Sequence, residues 1–563
     1  MDMNRTYWNG PEATHRRTML KASGFGDKDI KRKPHIGVAN SFMEGSPGSA
    51  HLRQIGEAVK QGIWANGGIP FEFGVPATCG NVANGAEELK YELAGRDVVA
   101  MSIEFVTKVH NFDALVLIAS CDNIIAGAYL AACRMDLPVI VVTGGSMLTG
   151  HYCGKQIVEA ELDVATLKLQ KDTIDKNSEE YKEEVKHLEE LEEFVCPSFG
   201  ACPSMGTANT MQMLGEVFNL VLPGTANIPA ADNLKIRKSR EAGEFIVDLC
   251  KRGVTPRELI TKETLLNSIM VDMAIAGSTN AVLHILSMAK ELDLDITLDD
   301  FSRLAQEIPC ITGVIPSGPY SIEDFYRAGG MPVVMKMLES KLYTDVPTLY
   351  GNTWKDYLSC VRATSTDIIR SLDQPLFNEP GLKVLYGNLS PNGAIIRPTG
   401  VPEEMKEFTG VAKCFDHEMD CFAAIQKDEI KPGDVLVIRY EGCKGAPGMK
   451  ELMVTTDALV AHGLHKSVGL ISDARFSGFN HGAIVGHVTP EAFDGGPIAL
   501  VKDGDIIHVD VQKGIIEVNI TEEEMKERRA NWVCPEPKVK KGVLSLYAAT
   551  CKPADEGGAM QNW

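Results

Sequence analysis

Hydrophobic positions along the chain fall into two textures. In the first, Lys33–Asn40 (KPHIGVAN), Asp113–Ser120 (DALVLIAS) and Leu137–Thr143 (LPVIVVT) are near-continuous apolar runs of strand length. That is the pattern of strands covered on both faces. His51–Ala65 has apolar residues at helical spacing, and Ala126–Arg134 is a small-residue helix between two of the runs. Strand, helix and strand within about 30 residues form a βαβ unit, which predicts a parallel, doubly covered sheet. Glu159–Phe194 is dense in Glu and Lys with leucines and valines at helical intervals. It is predicted to be an amphipathic helical excursion, or helix pair, laid on the surface with its charge run solvated. Thr264–Leu292 is predicted to be a buried helix, and Asp293–Phe301 a short capped connection.

The second texture begins near Asp345–Arg362. After Pro375 the chain becomes short, β-rich and turn-punctuated, as in Gly393–Arg397, Asp434–Tyr440, Ser467–Ser472 and Asp505–Val511, separated by Pro-Gly, Asn-Gly and Asp-Gly turns. The expected fold class is α/β. A parallel-sheet α/β domain over 1–370 is followed by a smaller β-barrel-like domain over 371–563, with the boundary near residue 370.

At 563 residues the chain is too long for one ordinary core. Its 76 acidic against 56 basic residues give a net charge of −20. Such a surface does not favour nucleic acid or an anionic membrane. An anionic substrate must therefore be drawn in by a local site: a metal, a helix N-terminus or an arginine. Met1–Lys21 is polar, and no run of about 18 uninterrupted apolar residues follows, so a cytoplasmic location is expected. Fourteen scattered cysteines in such a chain are not a disulfide framework. Most should be small buried residues, and a minority could bind metal or an iron–sulfur cluster.

Four segments could carry chemistry. Ser120-Cys121-Asp122-Asn123 follows a buried strand, where parallel sheets place their ligands. A thiol and a carboxylate side by side point to opposite sides of an extended chain, so one could serve a cluster and the other a cation. Cys196 and Cys202 are six apart around Pro and Gly, which is not a zinc-finger spacing but suits a tight loop near a ligand. Tyr440–Glu451 is glycine-rich, and its amides are free to approach an anion. Ser472–Gly478 again follows a strand, and its Ser and Arg could supply a nucleophile, a base or a carboxylate clamp. His462, His465 and His487 are expected to be structural.

Taken in order, these segments resemble the dihydroxy-acid dehydratase and phosphogluconate dehydratase family. The likeness runs from Ile36 to about Arg528 and is carried by Pro47-Gly-Ser-Ala-His-Leu52, Cys121-Asp122, Gly200-Ala-Cys202, Thr207-Ala-Asn-Thr-Met211, Gly277-Ser-Thr-Asn280, Gly448-Met-Lys-Glu451 and Arg475-Phe-Ser-Gly478, among others. It implies an α/β domain holding an iron–sulfur cluster and Mg²⁺, closed over by a β-barrel domain, within a homodimer or homotetramer. It implies removal of water from a 2,3-dihydroxy carboxylic acid or sugar acid to give a 2-keto acid. It also implies roles: Cys121 and Cys202 as cluster ligands, Asp122 and Glu451 as magnesium ligands, and Ser477 as the base.

Three positions depart from the family pattern. Gly48 stands where the family has its first cluster cysteine, Gly80 where it has a magnesium-binding aspartate, and Asn123 where it has a carbamylated lysine. Asparagine forms no carbamate and offers only a neutral oxygen. These losses predict weaker hold on both cofactors, with Cys79 or Cys196 as open candidates for a replacement ligand. They also leave room for a cluster-independent enzyme on the same scaffold, or for a non-catalytic binding homologue.

Overall fold

The apolar runs become parallel strands. The structure is a computed structural model describing residues 5–171, 174–476 and 481–561. The elements that place the site begin with β1 (His35–Asn40), α1 (Leu52–Ala65), β2 (Ile69–Gly74), α2 (Tyr91–His110), β3 (Ala114–Ala119), α3 (Asp122–Arg134) and β4 (Val139–Thr143). The sheet order is β2-β1-β3-β4, parallel throughout. Every residue of β1, β3 and β4 is buried, which explains their unbroken apolar runs.

Further along lie α4 (Glu159–Leu169), α5 (Glu179–Val195), α6 (Thr207–Val217), α7 (Asn233–Arg252), α8 (Lys262–Ala274) and α9 (Ala281–Glu291). Helices α1 and α7 pack closely. A Cβ on Gly62 would lie 2.0 Å from the Arg240 carbonyl oxygen, and one on Gly243 2.1 Å from that of Val59. Only glycine permits this approach.

Two expectations change. The single helix expected over Thr264–Leu292 is two, α8 and α9, broken where Ala276 takes a φ of 47° ahead of Gly277–Asn280. The Glu/Lys-rich stretch is a helix pair, but only α5 is mainly solvated. Helix α4 packs against a helix of the second half and turns Glu159 inward.

The second half contributes β5 (Lys383–Leu385), β6 (Gly393–Ile396), β7 (Glu407–Phe415), β8 (Asp434–Ile438), α10 (Met453–Ala461), β9 (Gly469–Ser472), β10 (Ala483–Thr489), β11 (Ile506–Asp510) and β12 (Ile515–Val518). They form one eight-stranded sheet, β12-β11-β7-β8-β9-β10-β6-β5. The central β7, β8, β9 and β10 are parallel, and the flanking pairs are antiparallel. Just beyond β5, Tyr386 bonds Gly514 and Ile516 beside β12 (2.9 and 3.0 Å), nearly closing a barrel.

The chain's end returns to the first half. Arg96 on α2, fully buried, donates to the Gly557 and Gly558 carbonyls (3.0 and 2.9 Å), and the Met560 amide donates to Asp97 (2.8 Å). No described helix is long and apolar enough to cross a membrane.

One buried lysine gives a pH prediction. Lys235 on α7 donates to Thr143 Oγ1 at the end of β4 (2.7 Å) and to the Thr225 carbonyl (3.0 Å). Burial pulls its pKa down from 10.5 to about 7. Between those values the unfolded chain holds the extra proton, so stability rises with pH across that window. Relative to Lys235→Met, the wild type should gain up to about 1.4 kcal/mol per pH unit from pH 7 upward. Parallel stability–pH curves for the two proteins would show that Lys235 is not responsible.

Candidate active site

The C-terminal end of β3 and the loop after β2 open on a cleft. Its walls come from both halves of the chain. Cys121 has extended backbone and caps α3, and Asp122 is the first helical residue. The chain turns here, so both side chains line the same cleft rather than opposite sides of a strand. Cys79, Asn123 and Cys202 line it as well, while Cys196 is exposed and does not.

The second half delivers Glu451 and Arg475. The two residues pair across a short parallel bridge between the loop before α10 and the segment after β9, with the Leu452 amide donating to the Arg475 carbonyl (3.0 Å). Arg475 is 1% exposed; its guanidinium reaches Glu451 Oε1 at 3.2 Å and the Met449 carbonyl at 2.7 Å. Asn280, from the break between α8 and α9, donates to the same Glu451 oxygen and to Thr207 Oγ1 (3.0 Å). The loop is docked by Gly448, whose φ is 100° and whose Cβ would fall 1.7 Å from the Lys90 carbonyl oxygen.

The cleft is acidic. Among the described residues its lining holds Glu92, Asp122, Glu159, Asp163, Glu451 and Asp457 against the single cation Arg475. Burial pushes the carboxyls of Asp122, Glu92 and Glu159 up. Asp457 rises to about 7 through burial and then the charge of Asp163. Asp122 Oδ1, Asn123 Oδ1 and Asn280 Oδ1 are buried without a hydrogen-bond partner. Clustered acceptors that lack donors are satisfied either by protonation of the carboxyls or by a bound cation.

The substituted positions lie where the chemistry is. A Cβ on Gly48 would be 3.3 Å from Cys121 Cβ and 3.4 Å from its sulfur. A Cβ on Gly80 would be 3.5 and 3.6 Å from Glu92 Cγ and Cδ, so a buried glutamate fills the space beside the absent carboxylate. Asn123 Nδ2 points at that glutamate (3.5 Å). The Cys79 and Cys121 thiols lie close enough to interact, which holds the Cys79 pKa down and raises that of Cys121.

The donor set fits the groups the family implies. Thiols suit iron, and partnerless carboxylate oxygens suit a hard dication. Among the described residues, the one set of three Asp, Glu, His or Cys ligand atoms within 4.8 Å of one another is elsewhere, at Glu407, His508 and Asp510. There Lys513 already bridges Asp510 at 2.8 Å. The cleft donors are spread wider, which suits a group of several metal atoms better than one preformed cage.

Sequence reasoning missed Glu92, Glu159, Asp163 and Asp457, because only tertiary packing turns them inward. It expected the glycine-rich turn to meet an anion. That anion is internal: Glu491 accepts from the Lys444 and Gly445 amides (2.9 and 3.2 Å). His487 is buried, as expected of a structural residue. Ser477 lies outside the described residues, two positions beyond Arg475.

Comparison with known proteins shows the family. Residues 33–357 match the family model "Dihydroxy-acid/6-phosphogluconate dehydratase N-terminal", and residues 367–558 match its C-terminal counterpart. The chain is 43% identical over 548 residues to the dihydroxy-acid dehydratase of Methanococcus aeolicus, covering 97% of both chains. It is 41% identical over 553 residues to that of Thermodesulfovibrio yellowstonii, covering 98% of both. With the counterpart from Methanothrix thermoacetophila it shares 42% identity over 557 residues, 98% of this chain and 99% of the relative. The protein is thus an α/β dehydratase scaffold with a cleft between two sheets. It belongs to the dihydroxy-acid/6-phosphogluconate dehydratase family.

Proposed function

We propose that the chain is a hydro-lyase that removes water from a 2,3-dihydroxy carboxylic acid or sugar acid and releases a 2-keto acid. The observation that carries this is the meeting, in one cleft at the strand ends, of Cys121, Asp122 and Cys202 with Glu451 and Arg475 from the other half. Cys121 and Cys202 would hold an iron–sulfur cluster, and Asp122 and Glu451 a magnesium ion. When bound, these groups supply the Lewis acidity that polarises the substrate's carboxylate and hydroxyls.

The chain's own residues do the rest. Arg475 and Asn280 fix Glu451, so its carboxylate needs no reorganisation when substrate arrives. Without added positive charge, the acidic lining repels a carboxylate substrate. Recognition of the substrate therefore follows cation binding. Ser477, ionised to its alkoxide, takes the proton from C2 as the C3–oxygen bond breaks, and returns that proton to the departing hydroxide, which leaves as water with the alkoxide restored. The enol left behind tautomerises to the ketone.

The test is to reconstitute the full chain anaerobically, offer it a branched 2,3-dihydroxy acid and a sugar acid, and measure 2-keto acid. Absence of product from both, with cofactors loaded, would refute the assignment. We also take the division near residue 370, a homodimer or homotetramer, and a cytoplasmic location as part of this reading. First proteolytic cuts far from 370, sedimentation as a single chain, or recovery of the protein outside the cytoplasmic fraction would each count against the respective point.

A further inference from the structure

We infer that Cys79 takes the place of the cluster cysteine missing at Gly48, so that Cys79, Cys121 and Cys202 are this chain's three protein ligands to an iron–sulfur cluster. The inference rests on the dehydratase reading for the kind of cofactor, but the choice of ligand comes from the geometry.

The side chain missing at Gly48 would have lain against Cys121, 3.4 Å from its sulfur. Cys79 supplies a thiol at the same neighbour: its side chain lines the same cleft as that of Cys121 and lies close enough to interact with it. It arrives from the loop after β2, whereas Gly48 follows β1, so the donor has moved between adjacent strands of the sheet.

The same loop is pinned to the other thiol. Asn81, two residues on, donates from Nδ2 to the Cys202 sulfur at 3.3 Å. Cys202 is in turn anchored by Asn209, which donates to its carbonyl and to that of Ser204 (2.5 and 2.9 Å). Cys79 therefore stands on a segment in contact with both remaining thiols, and all three line the cleft. Cys196, the other candidate, is exposed and outside the lining. Ligation converts the three thiols to thiolates and releases three protons to solvent; no oxidant or reductant is consumed in that step.

The experiment is anaerobic reconstitution of the full chain with ferric iron, sulfide and excess thiol, the thiol supplying the electrons the cluster needs. Iron, acid-labile sulfide and visible sulfur-to-iron absorption are measured per chain, and melting curves check the fold. Wild type and Cys196→Ser should hold equal amounts of iron and sulfide. Cys79→Ser should retain at least about tenfold less under the same desalting. Adding Gly48→Cys to Cys79→Ser should restore the cluster by returning a thiol to Cys121's flank. That rescue also covers the case in which Cys79→Ser alone folds poorly.

A Cys79→Ser protein as rich in iron and sulfide as wild type overturns the inference. So does a wild type that takes up neither, or a loss on Cys196→Ser matching that on Cys79→Ser. The outcomes separate from those of the functional reading. Loading that depends on Cys79 without any keto acid formed keeps the ligand and refutes the reaction. Turnover by a protein free of iron does the reverse.

Discussion

Glu451→Gln is expected to lower kcat/KM by about 10²–10³-fold and to raise the magnesium concentration needed for half-maximal rate by at least about tenfold. Glu451 is the cleft carboxylate held by two donors at once, Arg475 and Asn280. Glutamine keeps an oxygen for both but removes a unit of negative charge. At an effective dielectric near 20, a charge about 3 Å from a dication is worth several kcal/mol before desolvation is subtracted. In the metal-free protein the same change relieves repulsion, because Glu451 is among the charges that push the Asp122 carboxyl up. Metal-free melting should therefore be unchanged or slightly higher, while turnover collapses. A variant that melts early and loses activity only in proportion to its unfolded fraction would reduce Glu451 to a packing residue.

Ser477→Ala is expected to abolish measurable turnover, a loss of about 10³-fold or more, with iron, sulfide and melting temperature unchanged. A base that takes the substrate's proton contributes on this scale, and its removal leaves binding intact. The position follows Arg475 and Phe476, whose backbone is fixed by the pairing of Arg475 with Glu451. Truncation of one hydroxyl should cost little packing. Near-wild-type kcat would remove Ser477 from the chemistry, and loss of the cluster along with activity would show that it acts on cofactor retention instead.

The parts of the fold legible in the sequence were those set by burial on both faces. β1, β3 and β4 declare themselves because every position is covered and nearly every residue is apolar. The break at Ala276 was overlooked because both flanks, Ile269–Ile275 and Ala281–Leu286, are mainly apolar at helical spacing, and the Gly277-Ser-Thr-Asn280 run between them is only four residues long. Helix α4 misled for the opposite reason. Its Glu159 sits in a run of charges that reads as solvated, yet contact with α10 turns it into the cleft.

The site divides the same way. Cys121, Asp122, Cys202 and Glu451 were visible through ordered short motifs, and the structure gathers them in one cleft. The approach of Cys79 to Cys121, and of Glu92 to Gly80, depends on how the loop after β2 lies across the end of β3. Spacing along the chain carries no record of that crossing.

The return of the chain's end to α2 constrains how anything enters the cleft. The two sheets are joined once by the connecting chain and again by Arg96 and Asp97 holding Gly557, Gly558 and Met560. Swinging the sheets apart as rigid bodies would strip a fully buried guanidinium of its carbonyl partners, a cost of about 3–5 kcal/mol. Substrate is then expected to enter at the rim of the cleft, beside the packed helix α4, with the latch shut throughout the cycle. Amide hydrogens next to the latch, that of Met560 foremost, should exchange as slowly during turnover as those of β3.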